Sequence, residues 1–431
     1  MSKFISIKEA MKKGHGLVHI RGWCYRARGS NALRFLVIRD STEIIQCVIE
    51  KAHVSEHIWE DAEKTDIEAS VELSGEIAED KRAPTGYEIK VKEFKLIGES
   101  IGWPIQKDQS AELLADMKHL WLRSRYMTSI LKIRSTVTGA IDEYFRKEGF
   151  YEYHSPIFQA TQAEGGSTLF SVNYFGKPVF LSQTWQLYAE PAIFALEKIY
   201  TIAPAFRAEK SKTSRHLTEL WMCEMEVAWA DFKEIQDYGE ALIKHCVKRV
   251  LEHHQEELKI LGRDIKMLEK VRDEPFIRMT YTEALEALKK KGIDIEWGKD
   301  LRTIEEDELS KIMGHFTIVT EYPKEVKAFY MKEVEGKPDV VNGCDFIAPE
   351  CYGEIIGGSE RESDMEKIKE RLIAQGEDPE KYTFYLDTRK YGSVPHGGFG
   401  MGVERLVSWI CHLESIKDAI PFPRTMLRVN P

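Results

Sequence analysis

The chain has 431 residues, room for two or three domains. Its 43% apolar and 31% charged residues are those of an ordinary globular protein, and no apolar run reaches the ~18 residues of a membrane span, so no membrane partner is expected. A net charge of −10 counts mildly against nucleic acid as partner, although local basic patches can act inside an acidic protein.

The opening "MSKFISIKEAMKKG" has no long apolar core and does not read as a signal peptide. Residues 14 to 100 read as five short strands, with a helix-like segment near 55 to 66 after the third. That order suggests an OB-type barrel, with a generic five-stranded β-domain as the alternative. "IGWPIQKDQS" reads as a hinge and "AELLADMKHLWLRSR" as a linker helix. From 128 onward helices alternate with strands. A long helix ends at Gly149, and "FYEYHSPIF" reads as an edge strand carrying Pro156. "KIYTIAPAFRAE" and "ELWMCEMEVAWA" form a hairpin around a basic loop, and residues 233 to 262 form a helix. Residues 344 to 361 carry another strand pair, and "GGFGMG" runs into the helix "VERLVSWICHL". The pattern is α+β. Seven scattered cysteines with no CxxC pair signal neither zinc nor a disulfide framework and fit a reducing cytoplasm.

Three constellations carry chemistry. Arg207 and Glu209, two apart in a predicted strand, share a face. Alone they could be a structural ion pair. Lys210, Lys212 and Arg215 add positive charge suited to a polyphosphate. Glycines 398, 400 and 402 leave room for a flat ligand or a close backbone, and Arg405 follows in the first helical turn. The pattern is neither a Walker loop nor a dinucleotide fingerprint. Asp345 and Glu354, in neighbouring strand segments, could share a divalent ion, or be unrelated surface acids.

Arg-x-Glu, a loop and Arg-His-x-x-Glu at 207–219, with Gly-x-Gly-x-Glu-Arg at 400–405, resemble motifs 2 and 3 of class II aminoacyl-tRNA synthetases. The helix, strand and Pro156 segment resembles motif 1, which builds the homodimer in that class. "FRAEKSKTSRHLTE", "YGEIIGGSERE", "YGSVPHGGFGMGVERL" and "IPFPRT" resemble the archaeal-type asparaginyl-tRNA synthetase family over nearly the whole chain. The resemblance implies an anticodon-binding OB domain at 1–100, a hinge at 101–127 and a catalytic domain at 128–431. It implies ATP and Mg²⁺ as cofactors, asparagine and its tRNA as substrates, and a cytoplasmic homodimer. By the same resemblance Arg207 grips the α-phosphate and the amino acid carboxylate. Glu209 faces the adenine amino group, Arg215 and His216 cover the outer phosphates, and Arg405 covers the γ-phosphate and the adenine. Asp345 and Glu354 hold the metal. Gln186, Glu164, Ala189, Glu224 and Arg361 surround the amino acid. Arg28, Phe35 and Gln46 read the anticodon, although Phe35 could equally be a core residue. Leu220 stands where an aromatic often backs the adenine, Glu360 where glutamine is usual and Glu43 where glycine is frequent.

The runner-up is an aspartyl enzyme, including one that charges both tRNAs. In aspartyl enzymes a lysine stands at the Ala189 position, so the charge that would meet an aspartate is missing here. Glu224 is expected to accept from the substrate amide while Arg361 donates to its carbonyl. The alternative is that Glu224 pairs with Arg361 or a lysine. An amidating relative, which lacks the barrel, and a pure RNA-binding module fit less well.

Overall fold

Short strands rich in β-branched and aromatic residues build a barrel, with buried and less buried positions alternating along the first of them. In the computed structural model, which describes residues 3–161, 163, 169–210 and 215–431, five strands close on themselves: Gly16–Gly29, Leu33–Arg39, Ile44–Glu50, Ser70–Glu79 and Tyr87–Gly98. The first strand pairs with both the second and the fourth, and the third runs parallel to the fifth. Leu36, Ile38, Ile45, Cys47 and Ile89 point inward and are fully buried. The helix Glu56–Lys64 follows the third strand and packs Ile58, Trp59 and Ala62 into the same core. This is the expected OB-type order.

The chain forms two compact units, Met1–Ala115 and Asp116–Pro431. In the second, a mostly antiparallel sheet runs in the order Ile277–Thr280, Thr317–Pro323, Lys337–Ala348, Gly353–Glu360, His396–Gly402, Glu219–Ala228, Lys198–Phe206 and Tyr151–Glu152. Only the outermost pair at each end is parallel. The helices Arg125–Lys147, Phe232–His253 and Val403–Cys411 cover it. Arg125–Lys147 buries Met127, Ile130, Ile133, Val137, Ile141 and Tyr144, a three-and-four spacing that places one apolar stripe on the sheet. Ser124 caps it by accepting from the Met127 amide at 3.2 Å. Among the described residues, no helix is long and apolar enough to cross a membrane.

Three local expectations change. The 150–158 segment is not one strand: Tyr151–Glu152 joins the sheet edge and Phe158–Gln159 joins a separate small sheet. Pro156, which cannot donate to a ladder, lies in the gap. The linker helix is two short pieces, Ala111–Asp116 and Lys118–Trp121. The helix after the hairpin ends at His253, and a separate helix Gln255–Ile260 follows.

Candidate active site

The cleft lies on the face of the sheet formed by the middle strands, with a volume of about 320 Å³. The hairpin strands Lys198–Phe206 and Glu219–Ala228 deliver one wall, in the register Phe206↔Glu219. The strand ends at Phe206, so Arg207 and Glu209 sit just beyond it rather than within it. The Arg207 amide still donates to Thr218 at 3.0 Å, which carries the ladder one step further and lets both side chains line the cleft. The Arg207 Nε is buried with no hydrogen-bond partner among the described residues. A buried guanidinium donor left open toward a cleft is costly unless a ligand takes it.

Arg215, His216, Leu220, Glu354 and Arg405 line the same cleft. Arg215 donates to Asp307 at 2.6 Å and to the Cys351 carbonyl. His216 lies 3.5 Å from Glu209. Burial pushes its imidazole below the ordinary histidine value, and Arg405, Arg207 and Arg215 add to this against Glu209. Arg405 donates to the Glu354 carbonyl at 2.7 Å and lies 3.3 Å from its carboxylate. Lys212 and Glu164 lie outside the described residues.

Asp345 and Glu354 do come together. They sit on paired strands, and their oxygens converge over Gly357: a Cβ there would lie 2.7 Å from Glu354 Oε1 and 3.7 Å from Asp345 Oδ1. Two carboxylates crowded over a bare backbone are a fitting donor set for a hard divalent cation that keeps other positions for phosphate and water. Burial pushes Asp345 up to about 6 against the pull of Lys327, with Glu354 adding to the rise. Burial also opposes ionisation of Glu354, but Arg405, Lys327 and Arg207 outweigh it and hold that carboxyl below the usual range. Glu306, absent from the sequence reading, is pushed up to about 7 by burial and by Glu354.

The glycine-rich strand serves two purposes. Gly398 is where Glu226 and the Met225 carbonyl press closest, so its lack of a side chain admits the protein itself. Gly400 and Gly402 face the cleft floor. Glu360 accepts from Lys332 at 2.6 Å and from Asn342 at 2.7 Å, so its charge is matched outside the cleft wall.

At the other end of the cleft, Arg361 pairs with Glu226, at 2.9 and 2.8 Å, and not with Glu224. Glu224 lines the cleft, but its oxygens already accept from the Thr184 hydroxyl and, at 3.0 Å, from the Trp185 amide. Ala189 does not reach the cleft. It is fully buried with Trp185, Ile193 and Ile199, because the helix Gln186–Leu196 turns it away. Gln186 lines the cleft and donates to Glu190 at 2.9 Å. Glu190 also accepts from Arg389, from the Tyr385 hydroxyl at 3.0 Å and lies 3.1 Å from His396 Nε2. Burial opposes ionisation of Glu190, yet Arg389, His396 and Arg361 hold it well below the usual carboxylate range. Burial pushes its neighbour Glu226 up despite Arg361. Sequence reasoning missed this buried group. Glu226 was within reach, since it shares a strand face with Glu224.

On the barrel, Arg28, Phe35 and Gln46 share the face turned away from the barrel core, where Gln46 is nonetheless only 4% exposed. Arg28 pairs across from Phe35, and Gln46 across from Val37. Phe35 is half-buried and outside the barrel core, so its core alternative does not hold. Arg28 stacks over its ring, 5.2 Å from the centroid, and donates to Gln46 at 3.3 Å. Gln46 donates to Glu88 at 3.3 Å, adding a fourth polar residue that the sequence reading lacked.

A closed OB barrel, an antiparallel sheet and an arginine-lined, acid-paired cleft on that sheet define a class II aminoacyl-tRNA synthetase. Residues 110–426 match the family of class II tRNA synthetases (D, K and N), and residues 18–97 match an OB-fold nucleic acid binding domain. The asparagine–tRNA ligase of Thermoplasma acidophilum is 45% identical over 99% of this chain and 100% of its own length. That of Lactobacillus johnsonii is 42% identical over the full length of both. The crystal structure of asparaginyl-tRNA synthetase from Pyrococcus horikoshii complexed with asparaginyl-adenylate superposes with a TM-score of 0.96 at 42% identity, covering all of both chains. The chain belongs to the asparagine–tRNA ligase family of class II tRNA synthetases.

Proposed function

We infer that the protein joins asparagine to its tRNA in two steps, through an asparaginyl-adenylate. The observation that carries this reading is the cleft itself: an open Arg207 donor and Arg405 flank a converged acid pair, with the Arg361–Glu226 pair at the far end. The amino acid carboxylate attacks the α-phosphorus of ATP in line. A carboxylate–phosphorus bond forms, the bond to the β-phosphate breaks, and pyrophosphate leaves. The carboxylate is already a nucleophile, so no protein base is required. Charge developing on the phosphate oxygens is met by Arg207 and Arg405, which act by position and field. Arg215 and His216 take the outer phosphates, Glu209 the adenine amino group, and Leu220 one face of the ring. Asp345 and Glu354 would hold Mg²⁺, which supplies positive charge to phosphate oxygens when bound. A ribose hydroxyl of the tRNA then attacks the carbonyl carbon, and AMP leaves.

In the amino acid pocket, Gln186 and Glu224 meet the polar backbone or amide groups of the substrate, and Arg361 meets its side-chain carbonyl. With Glu226 chelating it, Arg361 offers a donor but little net charge. A neutral amide is accepted there at low cost, whereas a carboxylate finds no bare cation and faces Glu224 and Glu226. The enzyme acts in the cytoplasm as a homodimer. The exposed Tyr151, Ile157 and Phe158 of the motif 1 segment suit such an interface. Pyrophosphate exchange with asparagine and aspartate in parallel tests the assignment. A preference for asparagine of about 10⁴ is expected, the scale reached by sites built around a donor and acceptor pair. Comparable activity with aspartate would establish the aspartyl reading instead.

The outer barrel face reads the anticodon, with Phe35 as the stacking platform and Gln46 at a base edge. Phe35→Ala is expected to lower tRNA charging efficiency by about tenfold or more, the scale of ~1–3 kcal/mol for one stacked base. Pyrophosphate exchange should stay at the parent rate. An equal loss in both assays, or none in charging, would remove the anticodon role.

A further inference from the structure

Lys327 lines the cleft beside the acid pair, and the adenylation scheme gives it no part. Its ammonium donates to Asp345 Oδ2 at 2.6 Å, and the side chains of Lys327 and Asp345 are only 12% and 15% exposed. The lysine head lies 3.8 Å from the centre of the buried Tyr322 ring. Its main chain is pinned from behind. Arg371 donates to the carbonyls of Met331 at 2.6 Å, Lys324 at 3.2 Å and Lys327 at 3.1 Å. One arginine therefore fixes the loop, while the four-carbon stem of Lys327 leaves its charged head able to move.

We propose that Lys327 is a positioning residue of the adenylation centre that occupies the divalent cation's place on Asp345 until metal and nucleotide arrive together. The proposal rests on Asp345 and Glu354 being the metal ligands. Two carboxylates converging over Gly357 repel each other. A compact ammonium with three donors compensates that repulsion and keeps Asp345 aimed at the cleft. Ammonium and metal cannot share the same face of Oδ2, so a divalent ion entering alone must displace a charge-matched partner. An ion arriving with ATP brings phosphate oxygens, which receive the displaced ammonium. The pinned loop keeps that ammonium within the cleft, where it adds to the positive charge around the phosphates.

The consequence is an order of binding: weak metal affinity without nucleotide, strong affinity with it. The test measures Mn²⁺ binding to the full-length protein without ATP, by the signal of free Mn²⁺ in electron paramagnetic resonance. Lys327→Met is expected to bind Mn²⁺ at least tenfold more tightly than the parent, and Lys327→Arg to behave as the parent. Adding Asp345→Asn to Lys327→Met should abolish the gain. In pyrophosphate exchange, Lys327→Met should need less Mg²⁺ for half-maximal rate, a shift that a merely structural lysine would not produce. Unchanged or weaker Mn²⁺ binding by folded Lys327→Met, or by Lys327→Gln should the first variant not fold, overturns the proposal. A gain that survives Asp345→Asn overturns it differently, by showing that the acid pair is not the metal site. Exchange of pyrophosphate by the parent with asparagine judges the function independently of either result.

Discussion

Arg207→Ala is expected to lower the rate of asparagine-dependent pyrophosphate exchange by about 10²–10³ or more, with Arg405→Ala close behind, while the melting temperature of each variant stays near the parent's. The magnitude is that of removing one preorganised donor from a developing oxyanion, about 2.7–4 kcal/mol. The structure gives the reason that stability should hold. The Arg207 Nε has no partner among the described residues, so losing that donor breaks no hydrogen bond there, and what is lost is its field on Glu354. Arg405 differs in holding the Glu354 carbonyl and carboxylate, so Arg405→Ala also loosens one metal ligand. That difference is measurable: the Mg²⁺ dependence of exchange should shift further in Arg405→Ala than in Arg207→Ala, which acts on Glu354 through its charge alone. Near-parent exchange by a folded Arg207→Ala protein would remove the phosphate assignment.

Such a cleft was legible in the sequence to the extent that its residues lie at ends of regular elements. Strand reading placed Asp345 and Glu354 on neighbouring strands, which are paired; it also placed Arg207 and Glu209 within a strand, which instead ends at Phe206. Phe35 shows how much more the same reading could say. Its neighbours Leu36 and Ile38 face the barrel core, so Phe35 had to face outward once the inner face was chosen. What stayed hidden depends on contacts far apart in the chain. Glu190 and His396 are 206 residues apart, Arg361 and Glu226 are 135 apart, and no local pattern joins them. Ala189 illustrates the opposite failure. It stands three residues after Gln186, about 60° round the helix from it, and that offset places it among Trp185, Ile193 and Ile199 rather than in the cleft.

Glu190→Ala is expected to destabilise the protein by about 3–5 kcal/mol, the cost of stranding buried charges, and to lower its melting temperature by roughly 4–8 °C. The reason is charge balance in a dry place. The side chains of Glu190, Arg389 and His396 are fully buried, and Arg361 and Glu226 are nearly so. Two carboxylates face two guanidiniums there, so deleting Glu190 leaves one guanidinium unmatched. Gln186 would also lose its acceptor, and Arg361 its second carboxylate at 3.9 Å. Both line the amino acid end of the cleft, so a rise in KM for asparagine should accompany the loss of stability. Glu190→Gln keeps the shape but not the charge, and it isolates the electrostatic part. Because the folded-state pKa of Glu190 is depressed, its charge contributes stability that is present above the unfolded value of about 4.3 and is lost as pH falls through the folded one. The melting-temperature gap between the parent and Glu190→Gln should therefore be level from about pH 8 to 6 and narrow below about pH 4. Acids distant from Glu190 titrate alike in both proteins and cancel in the difference, whereas Glu226, whose carboxyl Glu190 helps to raise, is released in part by the substitution. A gap that stayed constant down to pH 3, or that opened on acidification, would show that Glu190 is not held ionised by Arg389 and its neighbours.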